Sequence, residues 1–196
     1  MKRALLISIH PEWAEKILNG EKTIEIRTWK PKNYAGWVYV AITKDNYKNH
    51  LYKKDDIWTL TDKHIYHYPY KNICGKVAFR FWYEKVDTIE IGDDGCVCLI
   101  NGVQDDFPKG SCLTEEELCD YIGYGDDLSI SSNFAKGYAW HIDKLEIFDK
   151  PKELSEFWSD PIDFSIHTRS EALAEGYKPI QRSPQKCMWV YGGEQS

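Results

Sequence analysis

Gly20-Glu21-Lys22-Thr23-Ile24-Glu25-Ile26-Arg27 decides how this chain is read, because its periodicity changes there from helical to extended. Before it, Ala4-Leu5-Leu6-Ile7-Ser8-Ile9 reads as a buried strand. Pro11 then suits the first position of a helix, where its fixed φ helps and no backbone donor is needed. Trp13, Ala14, Ile17 and Leu18 recur at helical spacing and give that helix an apolar face. Gly20 stops it, since glycine adopts the left-handed conformation just past a helix end at little cost. From Thr23 the period is two. Ile24 and Ile26 point to one face, while Thr23, Glu25, Arg27 and Trp29 point to the other. Lys22 sits on the turn, beside a strand that shows a carboxylate and a guanidinium on one side. Such a pattern alone is often a solvated turn before an Ile-in, charge-out strand. Here a Lys, a Glu and an Arg stand together, so the stretch also reads as a ligand site.

Working outward, Gly36-Trp37-Val38-Tyr39-Val40-Ala41-Ile42 and Lys76-Val77-Ala78-Phe79-Arg80-Phe81-Trp82-Tyr83 are rich in β-branched and aromatic residues and read as strands. Thr114-Glu115-Glu116-Glu117 opens a short helix as a capping box. Gly92 to Gly95 reads as a turn, Gly123 to Asp127 as a helix stop, and Ser129 to Asn133 as a loop. Strands, or one bent strand, are expected at 137–142 and 145–148, a helical turn at 151–157, a punctuated loop at 161–185 and a closing strand at 186–191. Residues 4–42 are expected to form one strand-helix-strand-strand unit with Ile24 and Ile26 buried. Lys22, just past a helix stop, is expected to be free of core duties. Many short strands and few helices give a β-rich α+β class.

Composition sets bounds. At 196 residues the chain is long enough for a proper core and is read as a single domain. Eight Trp and thirteen Tyr supply core volume and also flat faces for stacking bases. There is no long apolar run and no signal-peptide pattern, which points to the cytoplasm and away from a membrane. The six cysteines contain no Cys-x-x-Cys pair. His64 and His67 have metal-like spacing only on a helix, which the Tyr-rich, Pro69-terminated sequence opposes. No metal or cofactor is expected.

The net charge of −6 speaks against nucleic acid until its distribution is seen. Residues 1–54 hold eleven Lys and Arg against five Asp and Glu, whereas residues 87–127 hold one Lys against twelve acids. A basic front half and an acidic middle make phosphate binding local to the first, and salt-dependent. Between 43 and 72, Lys44, Lys48, Lys53 and Lys54 interleave with Tyr47, Tyr52, Trp58, Tyr66, Tyr68 and Tyr70. That pattern suits a single-strand binding surface, and it equally suits an amphipathic flap.

Gly20, Lys22, Glu25 and Arg27 match Gly-x-Lys-x-x-Glu-x-Arg, and in this the chain resembles the ASCH domain family, of PUA-like fold. Leu6 to Glu12, Tyr138 to Ile142 and Ile147 to Leu154 are similar to other parts of such domains. Arg182-Ser183-Pro184-Gln185 resembles the Arg-Pro-Pro-Gln tail of bacterial and phage members, with Ser183 replacing a proline. Residues 43–72 and 87–132 fall outside the resemblance and are read as insertions. It implies a half-closed β-barrel with flanking short helices and a cleft lined by the motif. It further implies binding of single-stranded RNA, or of a nucleoside or nucleotide, through Gly20, Lys22, Glu25, Arg27, Trp29, Arg182 and Gln185. An alternative comes from members that remove the acyl group of N4-acylcytidine with a Lys, a Thr and a Glu. Lys22 matches their Lys, Glu25 stands where their Thr falls, and Thr23 and Glu25 are the remaining catalytic candidates. Ribonuclease activity is a further implied class. Neither the residues nor the resemblance names a protein partner.

Overall fold

The computed structural model describes residues 3–44, 50–61, 71–91, 97–100, 108–122, 135–162 and 166–192. Tyr47, His64, Tyr66, His67, Tyr68, Tyr70, the turn at 92–95, Cys96, the glycines and acids at 123–127 and the loop at 129–133 lie outside them. In chain order the elements are β1 (Arg3–Ile9), α1 (Pro11–Leu18), β2 (Ile24–Arg27), β3 (Gly36–Ile42), β4 (His50–Lys54) and β5 (Ile57–Thr61). Then come β6 (Val77–Tyr83), β7 (Val86–Ile91), β8 (Val97–Ile100), α2 (Glu115–Ile122), β9 (Ala135–His141) and β10 (Asp143–Lys152). The chain closes with β11 (Phe157–Trp158), α3 (Arg169–Ala174) and β12 (Cys187–Gly192). Residues 1–19, 36–82 and 144–196 form one compact unit, and residues 20–35 and 83–143 form a second.

The first unit is built on a six-stranded sheet in the order β10-β6-β3-β1-β12-β11. β1 and β3 are parallel, from Leu5 against Val38 to Ile9 against Ile42. Parallel neighbours need a crossover, and the helix α1 follows β1 before the chain returns as β3. Pro11 occupies the start of α1, and Ala14, Ile17 and Leu18 bury its apolar stripe as their spacing predicts. His10 is the exposed N-cap residue; its carbonyl, rather than its side chain, meets the helix, accepting from Trp13 N and Ala14 N. Leu6, Tyr39, Ala41, Val77, Phe157 and Val190 form the core beneath the sheet.

The segment of interleaved lysines and aromatics contains a hairpin, β4 against β5, that the sequence reading did not resolve. Its turn residues Asp55 and Asp56 both have positive φ, at 48° and 66°, the geometry that two-residue hairpin turns require. Glu15 Oε1 accepts from Leu60 N at 2.7 Å, and the Asn19 amide exchanges bonds with the Trp58 backbone, so α1 holds the hairpin. The expected loop at 161–185 likewise contains α3. Its signal was a capping box, Thr168 with Glu171, in which Glu171 N donates to Thr168 Oγ1 and Thr168 N to Glu171 Oε2. The expected helical turn at 151–157 shrinks to a 3-10 turn at Leu154–Glu156, because β10 runs on to Lys152. Pro151 is tolerated there because β10 is an edge strand.

The second unit is a four-stranded sheet in the order β2-β9-β7-β8, with α2 on one face. β2 therefore leaves the sheet of β1 and β3, and the expected single unit over 4–42 does not form. The burial expected of Ile24 and Ile26 does hold: with Ile89, Ile91 and Ala139 they pack against Leu118 and Ile122 of α2. Each such Ile contributes roughly 1.5–3 kcal/mol through burial. Gly137 makes room for the helix, since a Cβ there would lie 2.6 Å from Ile122 Cδ1. The capping box starts α2 as expected, with Thr114 N donating to Glu117 Oε2 and Glu117 N to Thr114 Oγ1.

The observed class is β-rich α+β. Among the described residues each sheet is an open run of strands, so no closed barrel is seen. No described helix is long and apolar enough to cross a membrane.

Candidate functional site

Three charged side chains of the motif meet below the surface of the second unit. Gly20, at φ +77°, turns the chain out of α1 as its helix-stop role requires. The next residues are then fastened on both sides. Thr23 N donates to Gly110 O at 2.8 Å, and Thr23 O accepts from Ile142 N at 2.9 Å. Lys22 Nζ donates to Ser111 O at 2.7 Å and lies 3.6 Å from Glu25 Oε2. Arg27 Nη2 lies 2.9 Å from Glu25 Oε1. Lys22, Glu25 and Arg27 are only 3, 7 and 9% exposed. Lys22 is thus a packed, hydrogen-bonded residue, which corrects its expected freedom from core duties.

Burial is the main influence on Lys22. It lowers the ammonium pKa below the ordinary 10.5; Glu25, and more weakly Cys112, oppose it, and Arg27 adds to it. Charged groups this far from water are held only by close partners, and Glu25 supplies one to each cation.

The partner of Lys22 comes from the segment read as an insertion. A 3-10 turn at Lys109–Ser111 presents the Ser111 carbonyl. Ser111 N and Oγ both donate to Pro108 O, and Cys112, left-handed at φ 58°, donates from Sγ to Glu21 O at 3.4 Å. Gly110 is needed for the close approach, because a Cβ there would lie 2.8 Å from Thr23 Oγ1 and 3.0 Å from Ile24 Cδ1. Tyr121 of α2, half exposed, feels the same charges. Burial raises its phenol pKa, Arg27 opposes the rise and Glu25 adds to it.

Aromatic rings flank the charges. Glu25 sits opposite Trp140 and Arg27 opposite Tyr138 in the β2–β9 ladder, which puts each pair on one face of the sheet. Trp140 is fully buried, and its indole N–H has no acceptor among the described residues. Trp29 meets Trp140 edge-on at 4.9 Å, and Tyr83 does so at 4.7 Å. Tyr34 stacks on Tyr83 at 6.0 Å, and Lys30 Nζ stands 4.8 Å over the Tyr138 ring. Burial pushes the Tyr83 phenol up to about 12. On the opposite face His141 Nε2 bonds Asp87 Oδ2 at 2.6 Å, so this histidine is a partnered one.

Lys22, Glu25, Arg27 and Trp29 are thereby brought together, with Gly20 and Thr23 exposed at the edge of the group. Arg182 and Gln185 are exposed residues of the first unit. Sequence reasoning missed Ser111, Cys112 and Tyr121 as neighbours of the motif. The turn-forming run Pro108-Lys109-Gly110 was the available signal, and it lies in the segment that the resemblance does not reach. Among the described residues no three His, Cys, Asp or Glu side chains gather to hold a metal ion.

Residues 7–95 match the ASCH domain model. The resemblance read from the motif is thus shown as a match to the ASCH family over residues 7–95. That match contains all four motif residues, Gly20, Lys22, Glu25 and Arg27. No curated protein matches the chain. Among solved structures, it is similar to the ASCH protein of Zymomonas mobilis at 16% identity and a TM-score of 0.45, over 96% of this chain and 87% of that one. A tyrosine-to-phenylalanine mutant of the same protein is matched at 16% identity and TM-score 0.45, over 97% and 91%.

Proposed function

We propose that this ASCH domain is a nucleic-acid-related binding module, taking RNA or a modified nucleotide at the face that carries Lys22, Glu25, Arg27 and Trp29. The observation that carries the reading is the half-buried Trp29 ring, packed on Trp140 of the sheet face where Lys22, Glu25 and Arg27 gather. The Trp29 ring supplies a stacking face, while Arg27 and Lys30 favour phosphate. In this reading the chain is one PUA-like domain of half-closed-barrel type, with insertions at about residues 43–72 and 87–132, acting in the cytoplasm. The test is a tryptophan-fluorescence titration with single-stranded RNA and a nucleoside panel at two salt concentrations. Binding that weakens with salt, and is lost in Trp29→Ala, is expected. If neither RNA nor any nucleoside binds at low salt, the reading fails.

A second reading is favoured by one observation, the burial that lowers the pKa of Lys22. A lysine so shifted moves toward the range of a general base, as an amidohydrolase acting on N4-acylated cytidine requires. Thr23, exposed and fixed by its backbone, and Glu25 are the other candidates. Incubation with N4-acetylcytidine decides: turnover that disappears in Lys22→Met supports the enzyme, and absence of turnover leaves the binding module.

A further inference from the structure

The first unit contains an open cavity of about 530 Å³, within the usual range for small-molecule sites. Lys44 and Arg182 line it, with Ser155 and Ser183 as hydroxyl groups and Leu154 and Ile180 as an apolar wall. Neither Lys44 nor Arg182 has an ion pair or hydrogen bond among the described residues. Among the described lining residues the one acid, Glu153, is already engaged. Lys76 Nζ lies 2.7 Å from its Oε1, and its carboxylate also caps the 3-10 turn at Leu154–Glu156. Among the described residues, the cavity therefore shows two cations whose charge no lining carboxylate is left to answer.

The stem of Lys44 and the backbone of the Arg182 loop are held in place. The Lys44 stem runs across bare backbone at Gly75, where a Cβ would lie 2.3 Å from Lys44 Cε. Gly75 itself has φ +84° and its N–H donates to Ile42 O at 2.7 Å, so this seat for the lysine is part of the fold. The loop bearing Arg182 is tied on both sides. Ile180 N donates to Phe157 O at 2.8 Å, and Ser8 Oγ donates to Pro184 O at 2.7 Å. Seating the lysine stem and anchoring the arginine's loop in advance lowers the entropy cost of gripping an anion.

We propose that this cavity is an anion site for a phosphate group, gripped by Lys44 and Arg182, with Leu154 and Ile180 as the wall for the sugar or base attached to it. Arg182 offers the planar fork that suits phosphate, Lys44 a point charge, and the two serines neutral donors. The phosphate belongs to a free nucleotide or to an RNA strand, and the chemistry is the same for both. The proposal does not depend on how the Lys22 motif is used.

Calorimetric titrations of the full chain at low salt, with inorganic phosphate, AMP, adenosine and a short single-stranded RNA, test it. In Trp29→Ala, which silences the motif face, phosphate and AMP are expected to bind, and adenosine is not. Lys44→Ala and Arg182→Ala should each weaken AMP roughly tenfold or more, the worth of one charge-assisted bond. Both residues are exposed, so unchanged melting curves should accompany the loss. Trp29→Ala, which tests the motif face, should leave phosphate binding unchanged, so the two readings fail separately. A larger gain for AMP over phosphate marks a nucleotide site, and a larger gain for RNA marks a strand. The proposal is overturned if phosphate and AMP do not bind, if adenosine binds Trp29→Ala as well as AMP does, or if both alanine variants bind AMP like wild type.

Discussion

Arg27 Nη2 lies 2.9 Å from Glu25 Oε1, and both side chains are about nine-tenths buried on one face of β2. Glu25 also faces Lys22, so one carboxylate answers two buried cations. Removing one partner of such a pair strands a charge in a medium that solvates it poorly, at a cost of about 3–5 kcal/mol. Glu25→Ala is expected to lower stability by that amount in urea unfolding. A change of about 0.5 kcal/mol or less, the size typical of surface substitutions, would show that water reaches the cations and that the pairing contributes little.

Gly20 separates conformational strain from crowding. Its φ is +77° and nothing lies within 4 Å of where a Cβ would stand. Substitution there costs backbone strain alone, about 1–2 kcal/mol for an ordinary residue and more for a β-branched one. Gly20→Val should therefore melt well below wild type and Gly20→Asn only slightly below, since Asn tolerates the left-handed region. Equal melting temperatures for the three proteins would mean that the turn relaxes to negative φ.

Lys22 carries a pH signature of definite sign. Its folded pKa is lowered by burial, so between that value and 10.5 the unfolded chain binds more protons than the folded one. Stability contributed by this group accordingly rises with pH across that window and is flat below it. Lys22→Met keeps the aliphatic stem and removes the proton. Its stability profile from neutral to pH 10 should lack the rise that wild type shows. Parallel profiles would indicate a solvated ammonium.

The motif shows how far sequence reaches and where it stops. Alternation through Ile24, Glu25, Ile26 and Arg27 made the strand and its two faces legible, because a side chain's face on a strand depends on local parity alone. Local parity says nothing of which strand lies alongside. β2 pairs with β9, more than a hundred residues later, and so leaves the sheet of β1 and β3. The burial of Lys22 was illegible for the same reason: its acceptor is the carbonyl of Ser111, 89 positions away. A carbonyl acceptor has no side-chain signature. α3 and the β4–β5 hairpin did have local signals, in Thr168 with Glu171 and in Asp55-Asp56, which the punctuation by Ser, Pro and Gly and the mixed aromatic pattern obscured. Trp140 could be named as a strand residue, but its unsatisfied N–H follows from three-dimensional surroundings only.

Tyr83 offers an alkaline test of the aromatic cluster. Its ring stacks on Tyr34 and meets Trp140 edge-on, and burial pushes its phenol up to about 12 from the ordinary 10. The folded state thus keeps its proton at a pH where the unfolded chain has lost it. The sign follows from linkage: the stability tied to this proton is fully present below pH 10 and is lost as pH rises through about 12. Tyr83→Phe retains the ring contacts and deletes the titrating hydroxyl. Denaturant midpoints for both proteins between pH 9 and 12 should fall more steeply in wild type, the curves separating above about pH 10. Ultraviolet absorbance of phenolate gives an independent readout, since the variant should lack one late-titrating tyrosine. Curves that stay parallel throughout, with no late phenolate step missing, would mean that water enters beside Trp140 and that the cluster is more open than its ring distances imply.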